Sequence, residues 1–175
     1  MKIRFTKVMK IEAGPTQVWE VFAHRFNDAY KWMASVPYSY AQSNGQLFEG
    51  AKSDGRVCEL TTKPTGIKAS EQFLSYDERL KTAIVKIDFI DTPGFFPVRF
   101  NTLDFSIRQL GEDQSEMTWK FTSHIKPFAF FMQPVLKKGF LTFVQQIMEE
   151  LKHYVELGTP HPRKMKRIRK QGVSK

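Results

Sequence analysis

Arg56 and Glu71 are the residues best suited to do chemistry in this chain. Turn signals between them at Pro64-Thr65-Gly66 place the two on neighbouring strands. An arginine facing a carboxylate forms a charge-assisted, geometrically defined pair. Pointing inward, the two would span the floor of a cavity and orient a carbonyl or hydroxyl on an otherwise apolar ligand. A structural ion pair and two exposed side chains are the alternatives. Alternation groups Glu71 with Ala69 and Phe73 and leaves its burial open.

Other reactive types are present without a reactive arrangement. His24 follows the first helix, His124 falls on an outer strand face, His153 lies near the end of the last helix, and His161 sits in a Pro-rich exit. They form no HExxH or other compact ligand spacing, so no metal site is expected, and no cofactor. Glu71, Tyr38, Tyr40 and Asp77 are the nearby candidates for acid and base work, but they compose no recognisable set, and catalytic residues stay unassigned. The chain has no GxSxG elbow, P-loop or dinucleotide fingerprint. Cys58, the single cysteine, sits in a strand pattern and reads as a buried, inert thiol.

These groups act only where strands and helices hold them. Segments near residues 80 to 90, 98 to 109 and 115 to 125 alternate apolar and polar residues, the period of a half-buried strand. Alternation turns Ala83, Val85, Ile87 and Phe89 inward, with Leu103, Phe105 and Ile107 on the next strand and Met117, Trp119, Phe121 and Ser123 on the last. Lys86, Asp88, Asp104 and Arg108 then face solvent. A long amphipathic helix follows over residues 132 to 157. Leu136, Phe140, Phe143, Val144, Ile147, Leu151 and Tyr154 form its stripe, widened by Val135, Leu141, Met148 and Val155. It spans roughly 39 Å at 1.5 Å per residue, and Gly158 stops it.

Ahead of these lie a first strand over Ile3 to Ile11, a Gly14-Pro15 break and a helix carrying Val18, Trp19, Val21, Phe22 and Phe26. A second short helix covers Asn27 to Met33, and Val36 to Gln42 is extended. Asn44-Gly45, Asp54-Gly55 and Asp77-Glu78-Arg79 mark further turns, which makes the middle antiparallel. The expected fold is α+β: a curved antiparallel sheet wrapped around a long C-terminal helix, with two short helices after the first strand. The candidate ligand-binding residues are Arg56, Glu71, Val85, Ile87, Leu103, Phe105, Trp119, Phe121, Phe140 and Val144. The same surface also suits a plain aromatic core, given 16 Phe residues.

At 175 residues with 41% hydrophobic content, the chain suits one domain, over 1–158, and a basic, flexible tail over 159–175. Met1 to Glu12 alternates charged and apolar residues, so no signal peptide is expected. No apolar run approaches the roughly 18 to 20 residues of a membrane span. With one cysteine, a reducing cytoplasm is the expected compartment. The net charge is +9, of which seven basic residues after Gly158 account for all but +2. Such a tail is either solvated or drawn to phosphates, giving a membrane-peripheral expectation on an anionic surface and, as a weaker alternative, nucleic acid. It lacks the interleaved aromatics that stack on bases.

The order of one strand, two short helices, a six-stranded meander and a long C-terminal helix resembles the START-like, or SRPBCC, helix-grip superfamily, and within it the polyketide cyclase/dehydrase-like branch. The resemblance rests on Gly14-Pro15 before Val18-Trp19, Lys31-Trp32, Gly55 with Arg56, Glu71 ahead of Tyr76-Asp77, Trp119, and the helix end from Leu151 to Gly158. It implies a hydrophobic cavity between the concave sheet and the long helix, with Arg56 and Glu71 at recurrent polar positions. Fold does not set activity. The expected function is binding or transport of a small hydrophobic molecule such as a lipid, a quinone or a polyketide-like compound. The alternatives are a polyketide cyclase/dehydrase-like enzyme and a nucleic-acid-associated protein acting through the basic tail.

Overall fold

The computed structural model describes residues 1–43 and 45–172. Strand β1 (Lys2–Ile11) leads through Gly14 into α1 (Pro15–Trp19), where Pro15 at the first helical position costs no hydrogen bond. A wider helical turn over Glu20–His24, a 3₁₀ turn at Phe26–Asp28 and α2 (Ala29–Trp32) follow. The chain then lays down β2 (Tyr38–Gln42), β3 (Gly55–Glu59), β4 (Lys68–Asp77), β5 (Thr82–Ile90), β6 (Val98–Gly111) and β7 (Gln114–Ile125). A 3₁₀ turn at Pro127–Met132 enters α3 (Gln133–Leu157).

The seven strands form one sheet in the order β1-β7-β6-β5-β4-β3-β2, antiparallel throughout. Helix-grip architecture was therefore legible from pattern alone. The inward residues on β5, β6 and β7 fall as alternation requires: Val85, Leu103, Phe105, Met117, Trp119 and Phe121 are buried. A bulge between Phe73 and Ser75 on β4 keeps both Phe73 and Tyr76 on the concave side and pushes Leu74 out. Gly55 opens β3 because a side chain there would meet the Glu71 carbonyl oxygen at 2.5 Å. That close approach sets Arg56 directly opposite Glu71.

Helix α3 lays Val144, Ile147, Met148 and Leu151 into the core. Two stripe members differ from expectation: Val135 is 73% exposed and Phe143 is 42% exposed. Val135 falls on the outer side of the first turn, where Leu136 beside it packs against Ile3 and Ile125 instead, and Phe143 sits at the edge of the stripe next to the buried Val144.

The tail corrects a second expectation. It is helical from Pro162 to Gly172 (α4) rather than loose from 159. Gly158 adopts φ +67, ends α3 and turns the chain back. His161 caps the new helix, its Nδ1 accepting the Arg163 amide at 3.1 Å. Arg163 then pairs with Glu149 at 2.7 Å and Glu150 at 2.9 Å, while the buried Lys164 donates to the Val36 carbonyl. Lys175 and the Asn44 half of the Asn44-Gly45 turn lie outside the described residues.

Candidate functional site

The concave sheet, the α1–α2 region and α3 enclose a cavity of about 90 Å³. Strands supply Val85, Ile87, Leu103, Trp119 and Phe121 to its wall, and α3 supplies Val144. Arg56 and Glu71 complete the candidates that line it. Phe105 and Phe140 do not. Phe105 is fully buried behind the cavity, stacked on Phe22 with ring centroids 3.6 Å apart, and Phe140 packs against Phe121 at 5.4 Å toward the β1 side of the core.

The charged pair is self-contained. Arg56 donates from Nε and Nη2 to one oxygen of Glu71, at 2.9 and 2.7 Å, and from Nη1 to the Phe26 carbonyl. Its guanidinium lies 4.0 Å from the centre of the Phe26 ring. Burial opposes the charge on Arg56, but Glu71 outweighs it and holds the guanidinium above its ordinary range. Cys58 sits beside this pair; burial pushes its thiol up, and the Arg56 charge only partly offsets that. The Cys58 side chain is accordingly a poor nucleophile at neutral pH.

The unmet hydrogen-bonding capacity lies elsewhere. Asn101 Oδ1, Trp119 Nε1, Trp32 Nε1 and Ser35 Oγ are buried without a protein partner among the described residues, and all four side chains belong to the cavity wall. Such groups carry a desolvation penalty until something pairs with them. Asn101 was readable in advance: it continues the inward alternation of Leu103 and Phe105 and stands opposite Ser123. Trp32 ends α2, and Met33, Ser35 and Val36 follow it in the irregular link to β2, where side-chain direction follows no regular period.

The acid and base types named for a cyclase do not converge. Tyr38 and Tyr40 are exposed on β2, the sheet edge, and Asp77 accepts the Leu80 amide at 2.8 Å in a turn. Glu71 alone reaches the cavity. His24 is tied between Glu20 at 2.7 Å and Glu78 at 3.0 Å. Glu78 also accepts Trp19 Nε1 and the Tyr76 hydroxyl, each at 2.8 Å, and pairs with Lys81. Burial alone would raise the Glu78 pKa; hydrogen bonds from Lys81, Trp19, His24 and Tyr76 outweigh it and pull the group down to about 2. This cluster clamps α1 to the β4–β5 turn. Among the described residues, no group of His, Cys, Asp and Glu is arranged to hold a metal ion, and no helix is long and apolar enough to cross a membrane.

Residues 2–156 match the family model described as polyketide cyclase / dehydrase and lipid transport. No curated protein shows significant sequence similarity to the chain. Among solved structures, a START superfamily protein from Mycobacterium smegmatis superposes with a TM-score of 0.69 at 13% identity, covering 89% of this chain and 99% of that one. Ara h 8.0201 gives 0.65 at 13% identity, over 89% and 98% of the two chains. Truncated norcoclaurine synthase from Thalictrum flavum gives 0.59 at 13% identity, over 89% and 94%. At these identities the likeness is one of fold.

Proposed function

The chain belongs to the polyketide cyclase/dehydrase and lipid transport family, and on that premise we propose that it binds or carries a small hydrophobic molecule bearing a hydrogen-bonding group. One observation carries the reading: an enclosed apolar cavity whose wall holds the unpaired polar atoms of Asn101, Trp119, Trp32 and Ser35. Apolar walls supply affinity, and a few fixed polar groups supply orientation. Arg56 and Glu71 form the charged part of the wall and place it, because their mutual bonds lock the β3–β4 register at the cavity floor. Lipids, quinones and polyketide-like compounds all combine the two features.

Native mass spectrometry of the purified protein, followed by extraction of retained small molecules, tests this reading. Retention of a compound with a hydrocarbon body and an oxygen function supports carriage. Absence of any retained compound, together with no competition by lipids or quinones against a fluorescent apolar probe, overturns it. Conversion of a supplied polyketide-like substrate would instead establish the cyclase-like reading, for which Glu71 is the one acid on the wall.

A further inference from the structure

Helix α4 begins beyond residue 156, the end of the family match, so the surface it adds beside the cavity lies outside the shared family pattern. Arg163, Lys166, Arg167 and Lys170 recur at i, i+3, i+4 and i+7, which puts them on one face of the helix. That face lines a groove of about 510 Å³ against Phe143 and Ile147 of α3 and Ser35 of the α2–β2 segment. Phe143, Ile147 and Ser35 also line the buried cavity, so groove and cavity share walls. A neighbouring recess of about 610 Å³ uses Arg167 and Lys170 again and adds Lys63.

The groove is net positive: Glu150 is the one acid among its lining residues, against Arg163, Lys166, Arg167 and Lys170. Glu149 and Glu150 are both engaged by Arg163, and Lys166 and Arg167 form no ion pair among the described residues. Like charges on one helical face repel, and a bound anion would relieve them. Ser35, one of the residues lining both spaces, carries a buried hydroxyl with no protein partner among the described residues. At about 90 Å³ the cavity is well below the roughly 300 Å³ at which small-molecule sites begin, so it takes part of an apolar chain and leaves the remainder to the groove.

We propose that α4 makes the cavity mouth an anion site, and that the ligand is an amphiphile whose apolar end enters the cavity while its carboxylate or phosphate lies by Lys166, Arg167 and Ser35. The inference rests on the cavity reading above and narrows it to anionic ligands. Arg163 and Lys164 hold the helix in place, which leaves Lys166 and Arg167 free to be changed without undocking it.

Calorimetric titration of the full chain with octanoate, octyl phosphate, 1-octanol and inorganic phosphate, at low and high salt, tests it. Octanoate and octyl phosphate should bind about tenfold more tightly than 1-octanol, with the advantage shrinking at high salt. A K166A/R167A variant, verified as folded by its amide spectrum, should lose that advantage and keep its affinity for 1-octanol. Equal binding of anion and alcohol by the parent protein, or an undiminished advantage in the variant, overturns the anion site alone. Inorganic phosphate binding as tightly as octyl phosphate overturns the link to the cavity. Binding of neither octanoate nor 1-octanol overturns the cavity reading and this inference with it.

Discussion

Lys164 donates from Nζ to the carbonyl oxygen of Val36 at 2.8 Å, so the terminal helix is fastened to a residue of the cavity wall 128 positions earlier. Lys164→Ala removes the donor and leaves a buried carbonyl unpaired, a loss of about 1–3 kcal/mol. Hydrogen exchange over residues 162–172 should accelerate in this variant while β5 to β7 stay protected. Unchanged protection of α4 would show that Arg163 alone holds it. Burial lowers the Lys164 pKa, with Arg167 adding to the effect and Glu150 opposing it. The folded state therefore binds this proton less tightly than the unfolded chain. Docking of α4 should strengthen as pH rises from the lowered value toward the ordinary lysine range.

Arg56 and Glu71 should behave as a coupled unit. Arg56→Met leaves a carboxylate buried without its partner, which costs about 3–5 kcal/mol, and Glu71→Leu leaves the guanidinium in the same position. The double change Arg56→Met with Glu71→Leu removes both charges and should cost less than the sum of the two single changes. Urea unfolding of the three variants measures the coupling. Strict additivity would mean that the pair does not interact energetically.

How far the sequence speaks can be judged residue by residue. Val85, Leu103, Trp119 and Phe121 were legible because a regular strand fixes side-chain direction with a period of two. Phe105 obeyed the same rule and still misses the cavity: period sets the face, whereas Phe22 stacking over the ring sets depth. Ser35 lies in irregular chain without a periodic signal, and Val36, expected to open an extended segment, precedes β2, which starts at Tyr38. The α4 helix was missed because charge composition suggested solvation. Yet Pro162 at its start and Arg163 within reach of Glu149 and Glu150 favoured order. Ion pairing between distant segments is invisible to local pattern.

Glu78 should make the fold acid-sensitive in a defined window. Its folded pKa, about 2, lies below the ordinary carboxylate value of 4.5. The stabilisation is therefore fully present above about pH 4.5 and is lost as pH falls toward about 2. The side chain is 37% exposed, so solvent screening reduces the contribution to about 1 kcal/mol. Thermal unfolding of Glu78→Gln and the parent between pH 2 and 7 should show curves that converge at the acid end. A constant gap across the range would place the effect in packing instead of ionisation.

Asn101 offers a test in which stability and binding move in opposite directions. The residue is 5% exposed, its Oδ1 has no protein partner among the described residues, and Ser123 opposite it is likewise unpaired at Oγ. Asn101→Leu keeps nearly the same shape and removes the unpaired acceptor, which should stabilise the unliganded protein by about 1 kcal/mol. If Oδ1 receives a donor from a neutral ligand that enters hydroxyl-first, the reverse of the orientation proposed for an anionic amphiphile, the same change should weaken an alcohol about tenfold relative to its hydrocarbon analogue. Denaturant unfolding gives the first quantity, and paired titrations with 1-octanol and octane in a probe-displacement format give the second. A stabilised variant with unaltered discrimination would leave Asn101 without a role in recognition and shift the polar contact to Trp119 or Ser35. A destabilised variant would mean that Asn101 is paired within the folded protein and that the wall is satisfied without a ligand.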